Sequence, residues 1–225
     1  AQLVEAMKVA NQAKSEFVSF VSHELKIPMT SIKGYADLLL SGNFGPINEA
    51  QTTFLDTIRN NVNRMNRLVT DLTDVSRLES GQLHLETRPI QLAEVVAEVA
   101  SSTRAQIEEK QQTLVLTVPD KLPDVWADRT RLAQILTNLV SNAYKYTPEH
   151  GRITICAEEM NSVNEDAEVQ PMIHVSVADT GLGIKDDEQK AIFNKFFRGS
   201  DDQALRSPGT GLGLNITKNL VELHD

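Results

Sequence analysis

The chain has 225 residues, with 22 Lys and Arg against 31 Asp and Glu, a formal net charge of −9 at pH 7. At about 150 residues per domain this length holds one or two domains, and so acidic a chain is a poor binder of duplex DNA, whose phosphates require clustered cations. A single cysteine, Cys156, excludes an internal disulfide and a cysteine-based zinc site, an aromatic content of 5% argues against stacking platforms for single-stranded nucleic acid, and no apolar run or leader-like N-terminus points to a membrane span or a signal peptide.

Leu3, Met7, Ala10, Ala13, Phe17, Phe20 and Leu25 recur mostly at three- or four-residue steps, which predicts one face of a helix. Pro28 is expected to kink or locally break it, and the pattern resumes through Ile32, Tyr35 and Leu39. A loop follows at residues 41–46, and Asn48 with Gln51 three residues on is a candidate capping box. Phe54, Ile58, Val62, Met65, Val69, Leu72 and Val75 mark a second long stripe, closed by Gly81 as a candidate C′ residue. Two such helices make an antiparallel hairpin that cannot cover both stripes by itself. The expected solution is a homodimer that packs two hairpins as a four-helix bundle; the alternative is a monomeric hairpin packed on the rest of the chain.

From about residue 87 the pattern changes to alternating helices and strands, and predicts an α/β sandwich. Residues 92–111 read as a helix, 113–118 as a strand, and Asp128 as the cap of a helix reaching about Tyr146, stopped by Pro148. Residues 151–156 and 172–178 read as strands, with the polar, acidic stretch 161–170 (Glu165 and Asp166 included) as a solvated loop between them. Residues 186–197 read as a helix, followed by a Gly- and Ser-containing loop and a last helix over 212–223. Cys156 and Trp126 are expected in the core, and His84, His150, His174 and His224 show no paired spacing that suggests metal ligation.

Five constellations carry chemistry. His23 lies off the apolar face of the first helix, next to Glu24. A neutral imidazole with a carboxylate to hold or accept its other proton can attack phosphorus; neighbours at i and i+1 do not normally face each other on a helix, so Glu24 is expected to meet a group approaching His23. The plain alternative is a surface histidine. Asn138, Asn142, Lys145 and Tyr146, at i, i+4, i+7 and i+8, put amides and an ammonium on one helical stripe, a set that suits hydrated Mg²⁺ and phosphates; the alternative is an exposed face. Asp179, Gly181 and Gly183 follow a strand directly, so a carboxylate sits at the strand end beside a tight turn. Gly209, Gly211 and Gly213 open a helix, whose N–H groups favour anions; neither a Rossmann unit nor a Walker A loop fits the context. Finally, Phe193, Phe196 and Phe197 read as core or hinge packing, and Arg198 and Arg206 flank a polar stretch able to close over phosphates.

These five pieces, in this order over nearly the whole chain, resemble a sensor histidine kinase of a two-component system. The resemblance implies a dimerisation and histidine-phosphotransfer domain over 1–82 and a catalytic ATP-binding domain over 87–225, the latter a sandwich shared with gyrase and heat-shock-chaperone ATPases. It implies His23 as phospho-acceptor and Glu24 as the acid that orients or deprotonates it. Asn142 becomes the Mg²⁺ ligand with Asn138 beside the same phosphates, Lys145 a phosphate contact, and Tyr146 a neighbour of the nucleotide. Asp179 accepts from the adenine amino group in a pocket shaped by Gly181 and Gly183. Gly209, Gly211 and Gly213 form the hinge of an ATP lid, Phe193 and Phe196 pack its base, and Arg198 reaches the γ-phosphate. The implied partners are ATP, Mg²⁺, a second copy of the chain and a response-regulator receiver domain that takes the phosphoryl group on an aspartate, with no nucleic acid and no membrane contact by this segment, which is expected in the cytoplasm.

Three departures from the family pattern stand out. Ile27 occupies a position where many relatives carry a Thr or Asn that positions water for dephosphorylating the regulator, so weak phosphatase activity is expected. The chain ends on a helix where the family continues through a further sheet hairpin, which suggests a C-terminal truncation with an open edge strand. Residue 1 falls inside a helical pattern, which places any sensory part or membrane anchor upstream. The competing readings are a dimeric nucleotide-binding scaffold without phosphotransfer, and an ATPase or serine kinase on the same sandwich; the intact His23-Glu24 pair speaks against both.

Overall fold

The computed structural model describes residues 2–119, 121–163, 169–201 and 209–224, without the side chains of residues 2–9, 161–163 and 169–170. It divides into two compact units, Ala1–His84 and Leu85–Asp225.

The first unit is a hairpin of α1 (Gln2–Leu40) and α2 (Glu49–Glu79). Helix α1 runs through Pro28 without interruption, so the expected break does not occur. The hydroxyls of Thr30 and Ser31 donate to the carbonyls of Lys26 and Ile27 and add bonds around the turn that the proline weakens. Helix α2 opens with the expected capping box. The Gln51 N–H donates to Asn48 Oδ1, and the Asn48 N–H donates to Gln51 Oε1, each at 2.9 Å. It closes in a Schellman turn around Gly81 (φ 65°), with Gln82 N–H donating to Arg77 and Gly81 N–H to Leu78.

The seam between the helices differs from the stripes read off the sequence. On α1 it consists of Ser15, Ser22, Met29 and Ala36, buried at seven-residue steps, and on α2 of Val62, Val69 and Ser76. Small side chains let the helices approach, and hydroxyls pair across: Thr73 to Ser22 at 2.8 Å and Ser80 to Ser15 at 3.3 Å. The second predicted stripe is split. Val62, Val69 and Val75 face inward, whereas Phe54, Ile58, Met65 and Leu72 stay exposed, as do Phe17, Phe20, Ile32 and Tyr35 of α1. The largest apolar side chains of the unit therefore lie outside its own seam.

The second unit contains a two-stranded antiparallel ribbon, β1 (Arg88–Ile90) with β3 (Val125–Ala127), and a three-stranded sheet of order β2-β4-β5. In the sheet β2 (Thr113–Thr117) runs parallel to β4 (Arg152–Val163), which pairs antiparallel with β5 (Val169–Asp179). Helices α3 (Leu92–Glu109) and α4 (Arg129–Tyr146) pack on the sheet, and α5 (Gly213–Leu223) packs against α4. Val95, Val96, Val99 and Ile107 of α3, Leu136 and Val140 of α4, and the alternating Ile153, Ile155 and Ala157 of β4 form the core.

Several sequence expectations are corrected here. The stretch 161–170 is not simply a loop: β4 continues to Val163 and β5 begins at Val169 in register with it, because a two-stranded extension satisfies the backbone even with polar side chains. Glu165 and Asp166 lie outside the described residues. Residues 186–194 form successive turns, with Glu188 N–H to Lys185 and Ala191 N–H to Glu188, and not a regular helix. Trp126 is 68% exposed, since Ala127 and Val125 take the inward positions of the ribbon. Cys156 is half-exposed, on the sheet face opposite Ile153 and Ile155.

Candidate functional site

His23 projects from α1 with its side chain 73% exposed, and the Glu24 side chain beside it is 57% exposed. Neighbours at i and i+1 normally diverge on a helix, but Nδ1 of His23 lies 3.4 Å from Oε1 of Glu24. Two exposed side chains at i and i+1 can splay around the helix flank and meet at their tips even though their Cβ atoms diverge. The contact engages Nδ1, and among the described residues Nε2 has no hydrogen-bond partner. Ser22 is buried against α2 and fixes the helix rotation that turns His23 outward. Ile27, one turn on, is also exposed and brings no hydrogen-bonding group to this face.

In the second unit α4 carries the amide stripe. Asp128 caps its N-terminus, its Oδ1 accepting from Thr130 and Arg131 N–H and its Oδ2 from Glu86 N–H. Burial pushes the Asp128 carboxyl up, but the N–H donors of Glu86, Arg131 and Thr130 and the Arg131 cation outweigh it, so it sits below its ordinary value. Asn138, Asn142, Lys145 and Tyr146 are all half-buried. The amide of Asn138 donates weakly to Gly213 O and Thr217 Oγ1, each at 3.4 Å, and so ties α4 to the start of α5. The Asn142 amide makes no hydrogen bond among the described residues, which leaves its oxygen available to a ligand.

Asp179 ends β5. Its Oδ1 accepts from Gly181 N–H at 2.8 Å in an Asx turn, and its Oδ2 has no hydrogen-bond partner among the described residues. Gly181 abuts the end of α4: a Cβ there would lie 2.5 Å from the Tyr146 carbonyl oxygen. Leu182 N–H donates to that same oxygen, so the turn after β5 is seated on the last turn of α4. Gly183 adopts φ 72°, a conformation that glycine takes without strain.

Gly209 precedes, and Gly213 begins, α5. Gly211 (φ 70°) accepts from Phe196 N–H through its carbonyl, and a Cβ on it would lie 2.7 Å from the Phe196 backbone. The aromatic cluster corrects the sequence reading, because the ring of Phe196 is exposed and its backbone is left-handed (φ 62°). Two hydrogen bonds tie this segment to the start of α5: Phe196 N–H donates to the Gly211 carbonyl, and the Asn215 side-chain amide to the Phe193 carbonyl. The Ser200 hydroxyl and N–H hold the half-buried Glu188 below its ordinary carboxylate value, and Lys185 also bonds Ser200. Arg198 is exposed on this segment; Arg206 lies outside the described residues. Sequence reasoning missed Lys110 and Gln112, which bond the end of α4, because their role depends on where α3 ends in space. No group of three or more metal-ligating side chains occurs among the described residues, so any cation here relies on few protein ligands.

Residues 13–81 match the family described as His Kinase A (phospho-acceptor) domain, and residues 127–225 match the Histidine kinase-, DNA gyrase B-, and HSP90-like ATPase family. Drug sensory protein A of Synechocystis is 35% identical over 217 residues, covering 95% of this chain and 32% of that protein. The circadian input-output histidine kinase CikA of Synechococcus elongatus is 35% identical, covering 99% of this chain and 29% of that one. The chain thus spans about a third or less of these two relatives. Among solved structures, full-length ShkA in complex with AMPPNP aligns with a TM-score of 0.71 at 28% identity, over 92% of this chain and 41% of that one. The catalytic domain of histidine kinase ThkA is 32% identical with a TM-score of 0.50, over 61% of this chain and 80% of that one. With both modules matched in order on the described hairpin and sandwich, the chain belongs to the histidine kinases.

Proposed function

We propose that this chain is the kinase core of a two-component sensor: it binds ATP in the second unit, phosphorylates His23, and passes the phosphoryl group to an aspartate of a response-regulator receiver domain. The observation that carries this reading is His23 itself, exposed, with Nδ1 against Glu24 and Nε2 open.

The chemistry follows from that geometry. Glu24 holds the proton on Nδ1, which keeps the lone pair on Nε2. That lone pair attacks the γ-phosphorus. The P–N bond forms, the bond to the bridging oxygen breaks, and ADP leaves with the electron pair while Glu24 takes up the Nδ1 proton. Positioning and charge stabilisation supply most of the rate in such a transfer. Asp179 accepts a hydrogen bond from the adenine amino group, Gly181 and Gly183 shape the turn beside the ring, and Tyr146 lies next to it. Asn138, Lys145, Arg198 and the glycines 209, 211 and 213 surround the phosphates.

A Mg²⁺ ion fits this donor set. Asn142 offers an oxygen with no other hydrogen bond among the described residues, and Mg²⁺ bound with nucleotide takes few protein ligands and keeps water. When bound, it neutralises phosphate charge. Asn138, already engaged with α5, supports the wall of the site.

The outward set Phe17, Phe20, Tyr35, Phe54 and Met65 supports a homodimeric four-helix bundle, because two copies of the hairpin bury what one leaves exposed. None of the described helices is long and apolar enough to cross a membrane. Ile27 supports slow dephosphorylation of the regulator. Incubation with γ-labelled ATP and Mg²⁺ tests the reading. Label that survives alkali, is lost in acid and vanishes in His23→Gln is expected; acid-stable label would contradict it.

A further inference from the structure

The end of α3 reaches across to the end of α4 through one turn. Helix α3 closes in a Schellman motif, with Gln112 N–H donating to Ile107 at 2.9 Å and Gln111 N–H to Glu108 at 2.8 Å. The C′ position of this motif, which favours glycine, is filled by Gln111 at φ 56°. This turn throws Lys110 and Gln112 back over α4. Lys110 Nζ lies 2.9 Å from the carbonyl of Tyr144, 3.4 Å from that of Lys145 and 2.6 Å from that of Thr147. The ammonium also sits 5.1 Å from the centre of the Tyr144 ring. The Gln112 amide donates to the carbonyls of Tyr144, Thr147 and Pro148.

A helix end leaves its last carbonyls without intrahelical partners, and here each finds one. Ala143 O accepts from Thr147 N–H. Tyr144 and Lys145 are taken by Lys110. Tyr146 O is left for Leu182 N–H, at 3.3 Å, in the turn that follows Asp179. Three ammonium hydrogens meet three carbonyls at the negative end of the helix, while the carbonyl of Tyr146, between those of Lys145 and Thr147, carries the Asp179–Gly183 turn, against which Gly181 packs too closely for any Cβ.

We infer that Lys110 is a positioning residue for nucleotide binding: through the last turn of α4 it sets the place of Tyr146 and of the Asp179–Gly183 turn, without touching the nucleotide. This rests on the nucleotide site proposed above. Moving that turn shifts the adenine contacts and leaves the transfer of phosphate untouched. So Lys110→Met raises the autophosphorylation KM for ATP and the Kd for ADP by the same five- to twentyfold, with kcat at saturating ATP within twofold of the parent. A role confined to folding would do the reverse, lowering kcat as the folded fraction falls while KM and Kd stay fixed.

The test is ADP titration and autophosphorylation kinetics on the full chain, parent and variant side by side. Lys110→Arg keeps the cation but replaces three convergent hydrogens by a planar fork, and its Kd is expected between those of the parent and Lys110→Met. If Lys110→Met is recovered only as aggregate, Lys110→Arg carries the test with a rise of about threefold expected. Unchanged Kd and KM in folded variants overturn the inference while the nucleotide site stands. A parent chain that binds no ADP overturns the nucleotide site and this inference with it.

Discussion

Nδ1 of His23 and Oε1 of Glu24 are 3.4 Å apart on the exposed flank of α1. In the proposed reaction that contact gives the two ring nitrogens different tasks, one facing the carboxylate and the other facing an incoming group. Replacing Glu24 by Gln keeps the shape and removes the base. Positioned general bases contribute at least roughly 100-fold, so Glu24→Gln is expected to slow autophosphorylation by about that factor while ADP affinity, measured by titration, does not change.

The outward apolar set of the hairpin predicts the oligomeric state. Burying one Phe or Met side chain contributes about 1.5–3 kcal/mol, and a two-fold interface counts each substitution twice. Phe54→Glu or Met65→Glu is therefore expected to weaken self-association by roughly 100-fold or more, read by sedimentation equilibrium. Asn61→Glu, at another exposed position of α2, is the control and leaves the dimer intact.

The glycines of the second unit rank themselves. Gly183 has φ 72° and no atom within 4 Å of an added Cβ, so Gly183→Ala meets backbone strain alone, about 1–2 kcal/mol. Gly211 has a similar φ of 70°, with the Phe196 backbone 2.7 Å from the added Cβ, which adds overpacking of about 1–3 kcal/mol. Urea unfolding is expected to show Gly211→Ala as the more destabilised of the two, and the opposite order would contradict the packing described for Gly211.

Asp128 supplies a dependence on pH. Its folded-state carboxyl lies below the ordinary value of 3.8, so the cap stabilises the fold at any pH well above that value and is lost as pH falls through the lower folded-state value. Asp128→Ala is expected to cost about 1 kcal/mol at pH 7, and the gap between parent and variant narrows as the pH drops below about 4. Denaturant melts at pH 7 and pH 3.5 measure it.

Much of this was legible in the sequence, for reasons local to each element. Asn48 with Gln51, Gly81, and Asp128 act within four residues of themselves, so their caps could be read directly. The motif glycines mark positions where the backbone itself is constrained. What could not be read depends on contacts distant in sequence. The seam of the hairpin is lined by Ser15, Ser22 and Ala36, residues that no hydrophobic pattern selects, while the conspicuous phenylalanines face outward. Trp126, expected in the core, faces out because its neighbour Ala127 holds the inward position. Lys110 looks like an ordinary helix-terminal cation until α4 is placed beside it.

In the proposed reaction Nε2 of His23 carries the phosphoryl group. Two-dimensional nitrogen-correlated NMR of the chain after reaction with ATP and Mg²⁺, kept at alkaline pH, distinguishes the two phosphohistidine isomers. Phosphorus coupled to Nε2 of His23 is the expected result; phosphorus on Nδ1, or on any side chain other than His23, would contradict the account.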